Sequence, residues 1–270
     1  MDLQISGRTA VISGAAGDIA LETARILLDE GCNLVLTDVD EDELKDAAEK
    51  LDGGERVRTV VADLSSQEGA DKVRDEGTRG EDDWRPSIMF HAAGVTGAKG
   101  DPLEDITEDD WEHAWNTDFM TAVRMSRAFI PAMRKAGWGR VVFVTSENVA
   151  QPYPDEAVYN ASKAAVLSFA KSMSQIYARE GVLINCIAPA FIETDMTDGM
   201  MEKRAKERGT DMDEAIASFL KEERPHLELN RRGKPEEVAF ITACMLSERA
   251  SFVNGANYRI DGGSVQTINV

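Results

Sequence analysis

In the run Tyr159-Asn160-Ala161-Ser162-Lys163, a phenol and an ammonium stand four residues apart. On a helix that spacing puts both side chains on one face, where their head groups converge. A phenol of pKa about 10 is a poor base at neutral pH, but a neighbouring ammonium favours its phenolate. A tyrosine tuned in this way can exchange a proton with a secondary alcohol or a carbonyl. Alone, the pair is common on ordinary amphipathic helices. Ser146 strengthens it, because it follows the β-rich run Arg140 to Thr145, at the end where open α/β sheets place their ligand crevice. Its hydroxyl can hold a substrate oxygen; the plainer alternative is a turn hydroxyl bonded to backbone.

A second group of residues suits a dinucleotide. Ser13-Gly14-Ala15-Ala16-Gly17 joins the apolar run Thr9 to Ile12 to a helical pattern carrying Ile19, Ala24, Ile26, Leu27 and Leu28. A glycine turn there lets backbone N–H groups approach a pyrophosphate, which the helix N-terminus stabilises. Asp38 closes the next β-rich run, Asn33 to Thr37, where a carboxylate can accept hydrogen bonds from an adenosine ribose and would repel a 2′-phosphate. Val39 rather than an arginine follows it, so NAD is predicted over NADP. Asp38 as a cap or turn residue is the alternative. Asp63, after the run Val57 to Ala62, either meets an adenine edge or caps the next helix.

Positioning these residues requires a sheet. Short β-rich runs alternate with longer helical patterns from the N-terminus onward, which predicts an α/β fold: a Rossmann-type doubly wound parallel sheet of about seven strands, helices on both faces. A further strand is expected at Ser87 to Phe90, and a polar helix end and loop at Asp75 to Pro86. Beyond these lie a long helix from Glu108 to Lys135, another from Val158 to Ala178, a strand Leu183 to Ile187 and a last helix beginning at Pro235. At 270 residues and 43% hydrophobic content the chain fits one domain, 1–270. A net charge of −19 argues against nucleic acid and anionic membranes as partners, since both reward clustered Lys and Arg. No apolar run approaches the roughly 20 residues of a membrane span, and the N-terminus lacks signal-peptide regions, so a cytoplasmic location is expected. Cys32, Cys186 and Cys244 lie far apart in apolar stretches, which predicts buried, reduced thiols and no metal site.

The ordered set resembles the short-chain dehydrogenase/reductase family, in particular members like the 3-oxoacyl-ACP reductases, across essentially the whole chain. It comprises Ser13-Gly14, the Ser146, Tyr159, Lys163 set, and His91-Ala92-Ala93-Gly94 where the family usually has Asn-Ala-Gly forms. Asn185-Cys186-Ile187-Ala188-Pro189, Gly233 to Ala239 and the closing Asp261-Gly262-Gly263 complete it. The resemblance implies that Tyr159 is the proton donor or acceptor, that Ser146 orients the reacting oxygen, and that Lys163 binds the nicotinamide ribose. Hydride would pass between nicotinamide and an alcohol or ketone substrate. It further implies cofactor contacts at Gly17, Asp18, Ile19, Leu64, Ala92, Ala93, Gly94 and Pro189. Ile192 and Thr194 would lie near the carboxamide, although Thr194 could equally cap a helix. A homotetramer is the oligomer the family implies.

The chain also departs from the family. Asp18 and Ala20 stand where glycines are usual, and Ala190 replaces the glycine after Pro189. Asp118 occupies the place of an Asn that links Lys163 to solvent; ionised, it would stabilise the ammonium and oppose the Tyr159 phenolate. Asn116 should face elsewhere on a regular helix. The block 195–229, with Met196, Met200, Met201, Phe219 and Leu220 among many charges, is either a substrate lid or a solvated helical hairpin. The leading expectation is an NAD-dependent alcohol/ketone oxidoreductase; the alternative is a cofactor-binding protein without turnover, acting as a sensor or structural subunit.

Overall fold

The computed structural model describes residues 2–80 and 84–268. Part of the polar stretch expected between Asp75 and Pro86 therefore lies outside the described residues, as do residues 1, 269 and 270 of the expected domain.

The chain forms a single domain around a seven-stranded parallel sheet of order β3-β2-β1-β4-β5-β6-β7. The strands are β1 (Thr9–Ser13), β2 (Asn33–Asp38), β3 (Val57–Val61), β4 (Pro86–His91), β5 (Gly139–Val144), β6 (Val182–Pro189) and β7 (Asn257–Ile260). Helices cover both faces, so in the central strands neighbouring residues are buried in opposite layers and β1, β4 and β5 read as mainly apolar runs. In β1, Ile12 packs with Leu27 of α1 (Asp18–Asp29), Leu44 of α2 (Glu41–Leu51) and Val238 of α9 (Pro235–Met245). Its neighbour Val11 joins the other layer, with Val73 of α3 (Gln67–Gly77), Phe129 of α5 (Thr121–Ala136) and Val166 of α6 (Ala157–Tyr177).

The long helix expected from Glu108 to Lys135 is interrupted. It consists of α4 (Glu108–Ala114), a π-helical turn at Trp115–Met120, and α5. Such single π turns recur at functional sites, and this one carries Asp118. The segment 195–229 folds as a hairpin of α7 (Asp195–Arg208) and α8 (Met212–Glu223). Its apolar side chains do not join the main core. Met201, Phe219 and Leu220 form a separate small cluster with Phe191 and Leu227, and Met196 is exposed. Cys32 and Cys186 are buried, whereas Cys244 is only partly so, a correction to the expected burial of all three; all are free thiols. Among the described residues, no helix is long and apolar enough to cross a membrane, and no group of side chains suits a metal ion.

Candidate active site

Strand order reverses between β1 and β4, the switch point at which doubly wound sheets leave a crevice beyond the carboxyl ends. Ser13, His91 and Pro189 end β1, β4 and β6 on that edge, and Ser146 follows β5. The candidate residues from distant parts of the chain therefore meet there.

Tyr159 and Lys163 lie on one face of α6, with the Lys163 ammonium 5.5 Å from the centre of the Tyr159 ring. Burial pushes the Tyr159 hydroxyl above the ordinary phenol range; Lys163 and a hydrogen bond with Ser146 pull it down, while Asp118 and Glu156 push it up. Lys163 Nζ donates to the Val144 carbonyl at 3.3 Å and lies 4.0 Å from Asp118 Oδ1. Asp118 is buried with both oxygens in use. Its Oδ1 accepts from the Val95 N–H at 2.7 Å and its Oδ2 from the Ser162 hydroxyl at 2.6 Å. Gly94 makes this packing feasible, because a Cβ there would stand 2.8 Å from both Asp118 Oδ1 and Lys163 Nζ. Asn116 points away and accepts from Arg124, as its position on the helix suggested.

His91, fully buried, links the glycine turn to the π turn. The Thr121 hydroxyl donates to the Thr117 carbonyl at 2.5 Å, so it accepts from His91 Nε2 at 3.1 Å. Nδ1 is then left to accept from the Ser13 hydroxyl at 2.6 Å. Burial, with Lys163 nearby, lowers the imidazole pKa to about 3, so the ring is neutral.

On the cofactor side, Gly14 has φ +64° and a Cβ there would meet Ala93 N at 2.6 Å, so this turn and the Ala92 to Gly94 segment require glycine to pack. Gly17 is the N-cap of α1, and the N–H groups of Asp18, Ile19 and Ala20 in the first turn have no intrahelical acceptor. Such donors suit a pyrophosphate. Asp38 Oδ2 accepts from Ala16 N at 3.2 Å and Oδ1 from Val39 N at 2.7 Å, which holds the carboxylate beside the turn. The Asp18 carboxylate accepts from the Asp195 N–H at 3.0 Å, tying the glycine turn to the start of α7.

The two expected capping roles divide. Asp63 does not cap α3: its Oδ1 accepts from Ser65 N, which lowers its pKa, and Ser66 makes the cap through Gly69 N. Leu64 beside it is buried. Thr194 is the N-cap of α7, in a capping box with Thr197. Ile192 is buried and bridges Gly233.

Sequence reasoning missed a polar wall above Ser146. Glu147, Asn148 and Glu156 are buried, and Arg224 from the end of α8 reaches both carboxylates, at 3.6 Å and 3.7 Å, while stacking 3.5 Å above the Tyr153 ring. Adjacency to Ser146 and Tyr159 could have flagged the first three. Nothing local marks Arg224.

The family model for enoyl-(acyl carrier protein) reductases matches residues 14–265. The chain belongs to the short-chain dehydrogenase/reductase family. It is 32% identical to oxidoreductase UcpA of Salmonella typhimurium over 97% of this chain and 95% of that one. Its structure is similar to L-sorbose reductase from Gluconobacter frateurii complexed with NADPH and L-sorbose, with TM-score 0.92 and 31% identity over 99% and 100% of the two chains. It is also similar to NAD+-bound xylitol dehydrogenase, with TM-score 0.86 and 25% identity over 96% and 100%. As a member of this family the chain is a nicotinamide-dependent oxidoreductase interconverting alcohols and ketones.

Proposed function

We propose that Tyr159 exchanges the proton with the substrate oxygen, Ser146 orients that oxygen, and Lys163 with Asp118 sets the charge around the phenol. The observation that carries this reading is the convergence of these four side chains at the carboxyl edge of β5 and β6. In the oxidative direction the phenolate accepts the carbinol proton, and in reduction the phenol returns it. When bound, nicotinamide supplies or takes the hydride. Lys163 has donor capacity beyond Val144 for the nicotinamide ribose, and Ile192 and Thr194 lie in the loop that would meet the carboxamide.

NAD(H) is the favoured cofactor, since the Asp38 carboxylate stands against a 2′-phosphate and exposed Val39 offers no cation in exchange. The similar structures hold either NADPH or NAD+, so a direct titration decides. NADH should bind at least about tenfold tighter than NADPH. The charged wall above Ser146, with L-sorbose bound in one similar structure, favours a small polyhydroxylated alcohol or ketone. The segment 195–229 would close over it. Free thiols accord with a reducing cytoplasm. Exposed Phe240, Phe252 and Tyr258 offer apolar area for a homotetramer.

The test is turnover of L-sorbose, xylitol and cyclohexanol with Tyr159→Phe as the control. The substitution should lower kcat by ~10²–10⁴-fold and leave NADH binding intact. A Tyr159→Phe protein that keeps its turnover overturns the assignment. Wild-type protein that binds NADH yet turns over none of these favours the sensor or structural role, for which the Asp118 charge beside the phenol is the motivating observation.

A further inference from the structure

Each amide of the wall can be oriented from its partners. Asn160 Nδ2 donates to the Tyr153 carbonyl at 2.8 Å, so Asn160 Oδ1 is an acceptor. Asn148 Nδ2 donates to that oxygen at 2.8 Å and also to Glu156 Oε2. Two acceptors on one side fix the Asn148 amide, and its Oδ1 is forced toward Ser146. There it accepts from the Ser146 hydroxyl at 3.0 Å, while the Asn148 backbone N–H donates back to Ser146 Oγ at 3.2 Å. Asn148 thus holds Ser146 from one side, through its Oδ1 and its backbone N–H, and is itself held by Asn160 and the Glu156 carboxylate.

Glu156 is 5% exposed, and a carboxylate so buried requires cations. Lys99 supplies one through a direct ion pair. Arg224 supplies the other from the C-cap of α8, within the 195–229 hairpin, and contacts Glu147 as well. We propose that Asn148 and Glu156 are positioning residues for Ser146, and that Arg224 makes the orientation of that serine depend on the hairpin being docked. This rests on the assignment of Ser146 as the group that orients the substrate oxygen. Its consequence is that substrate enclosure and serine alignment are coupled: an undocked hairpin leaves Glu156 with Lys99 as its cation and loosens the carboxylate to which the Asn148 amide is bonded.

The experiment compares Asn148→Ala, Arg224→Ala and the double variant with wild type, using L-sorbose reduction and NADH fluorescence titration, together with a crystal structure of Asn148→Ala. Asn148→Ala should lower kcat about tenfold or more while changing the NADH Kd less than about twofold, since Ser146 lies away from the glycine turn. Arg224→Ala should act in the same direction and more weakly, and add nothing in the Asn148→Ala background. In the crystal structure the Ser146 hydroxyl should leave its wild-type rotamer. A serine that keeps its rotamer, or losses that multiply in the double variant, overturns the proposal. If Asn148→Ala fails to bind NADH, Arg224→Ala with Glu156→Gln supplies the same comparison from the far end of the chain of bonds. A wild type that turns over nothing defeats the assignment of Ser146 instead, and the rotamer still tests the hydrogen-bond chain.

Discussion

The cofactor side and the catalytic side of the crevice are built by different means. The turn between β1 and α1 is shaped by backbone: Gly14 takes a left-handed conformation against Ala93, and helix-end N–H groups face outward. The catalytic side is shaped by side chains, with Asp118, Lys163, Glu147 and Glu156 all buried and bonded to one another's neighbours. A backbone site absorbs substitution wherever a side chain has room, which is how the turn accommodates Asp18 and the buried methyl of Ala20. A network of buried charges cannot, because each ion's cost is offset only by its particular partners.

The sharpest way to break this contrast is at the one turn position that backbone does dictate. Gly14→Ala would put a methyl 2.6 Å from Ala93 N on a residue with φ +64°. The left-handed strain alone costs about 1–2 kcal/mol, and the clash must push the turn off β4. NADH affinity should fall about 100-fold, with a lowered melting temperature. An unchanged NADH titration would mean that the turn is not the rigid cradle described.

Asp118→Asn sharpens the other side. Asn can still accept from Val95 N, and its amide can donate to Ser162, whose own hydroxyl also donates to the Tyr159 carbonyl. What disappears is the charge. Lys163 and Ser146 pull the Tyr159 hydroxyl toward ionisation, whereas Asp118 and Glu156 resist it, so removing the Asp118 charge lowers the phenol pKa. The phenolate needed for oxidation then forms at lower pH, and the acid limb of the oxidative pH–rate profile should move to lower pH. Reduction needs the phenol, so its alkaline limb should move the same way. Superimposable profiles would refute the role of Asp118.

What could be read from sequence follows the same division. Six strands were legible, the central ones because two-sided burial makes them continuous apolar runs, and the start of α9 because proline suits a first helical turn; β7 went unread because none of its four residues is buried. The spacing of Tyr159 and Lys163 and the glycine turn are local patterns. The π turn was not legible: the 108–135 pattern reads as one helix, and the interruption lies in how Thr121, Thr117 and a buried Asp118 are satisfied in three dimensions. α3 was read only near its end, since Ala70 and Val73 are its buried apolar side chains. The wall escaped because one of its cations, Arg224, comes from the far end of the hairpin and pairs with carboxylates remote in sequence.

Asp18 tests the tolerant side at its most suspicious residue. An anion in the first turn of α1 should repel a pyrophosphate, yet its carboxylate is turned to the Asp195 N–H at the start of α7. There it completes the N-terminus of a second helix, so the turn keeps its own donors free. Asp18→Asn preserves an acceptor for Asp195 and removes the charge. NADH should bind about two- to fivefold tighter, the scale of one charge near a helix terminus, and the effect should shrink as salt is added. Weaker binding would instead mean that the carboxylate, through α7, holds the turn in its working shape, and the two sides of the crevice would then be coupled through the hairpin rather than built independently.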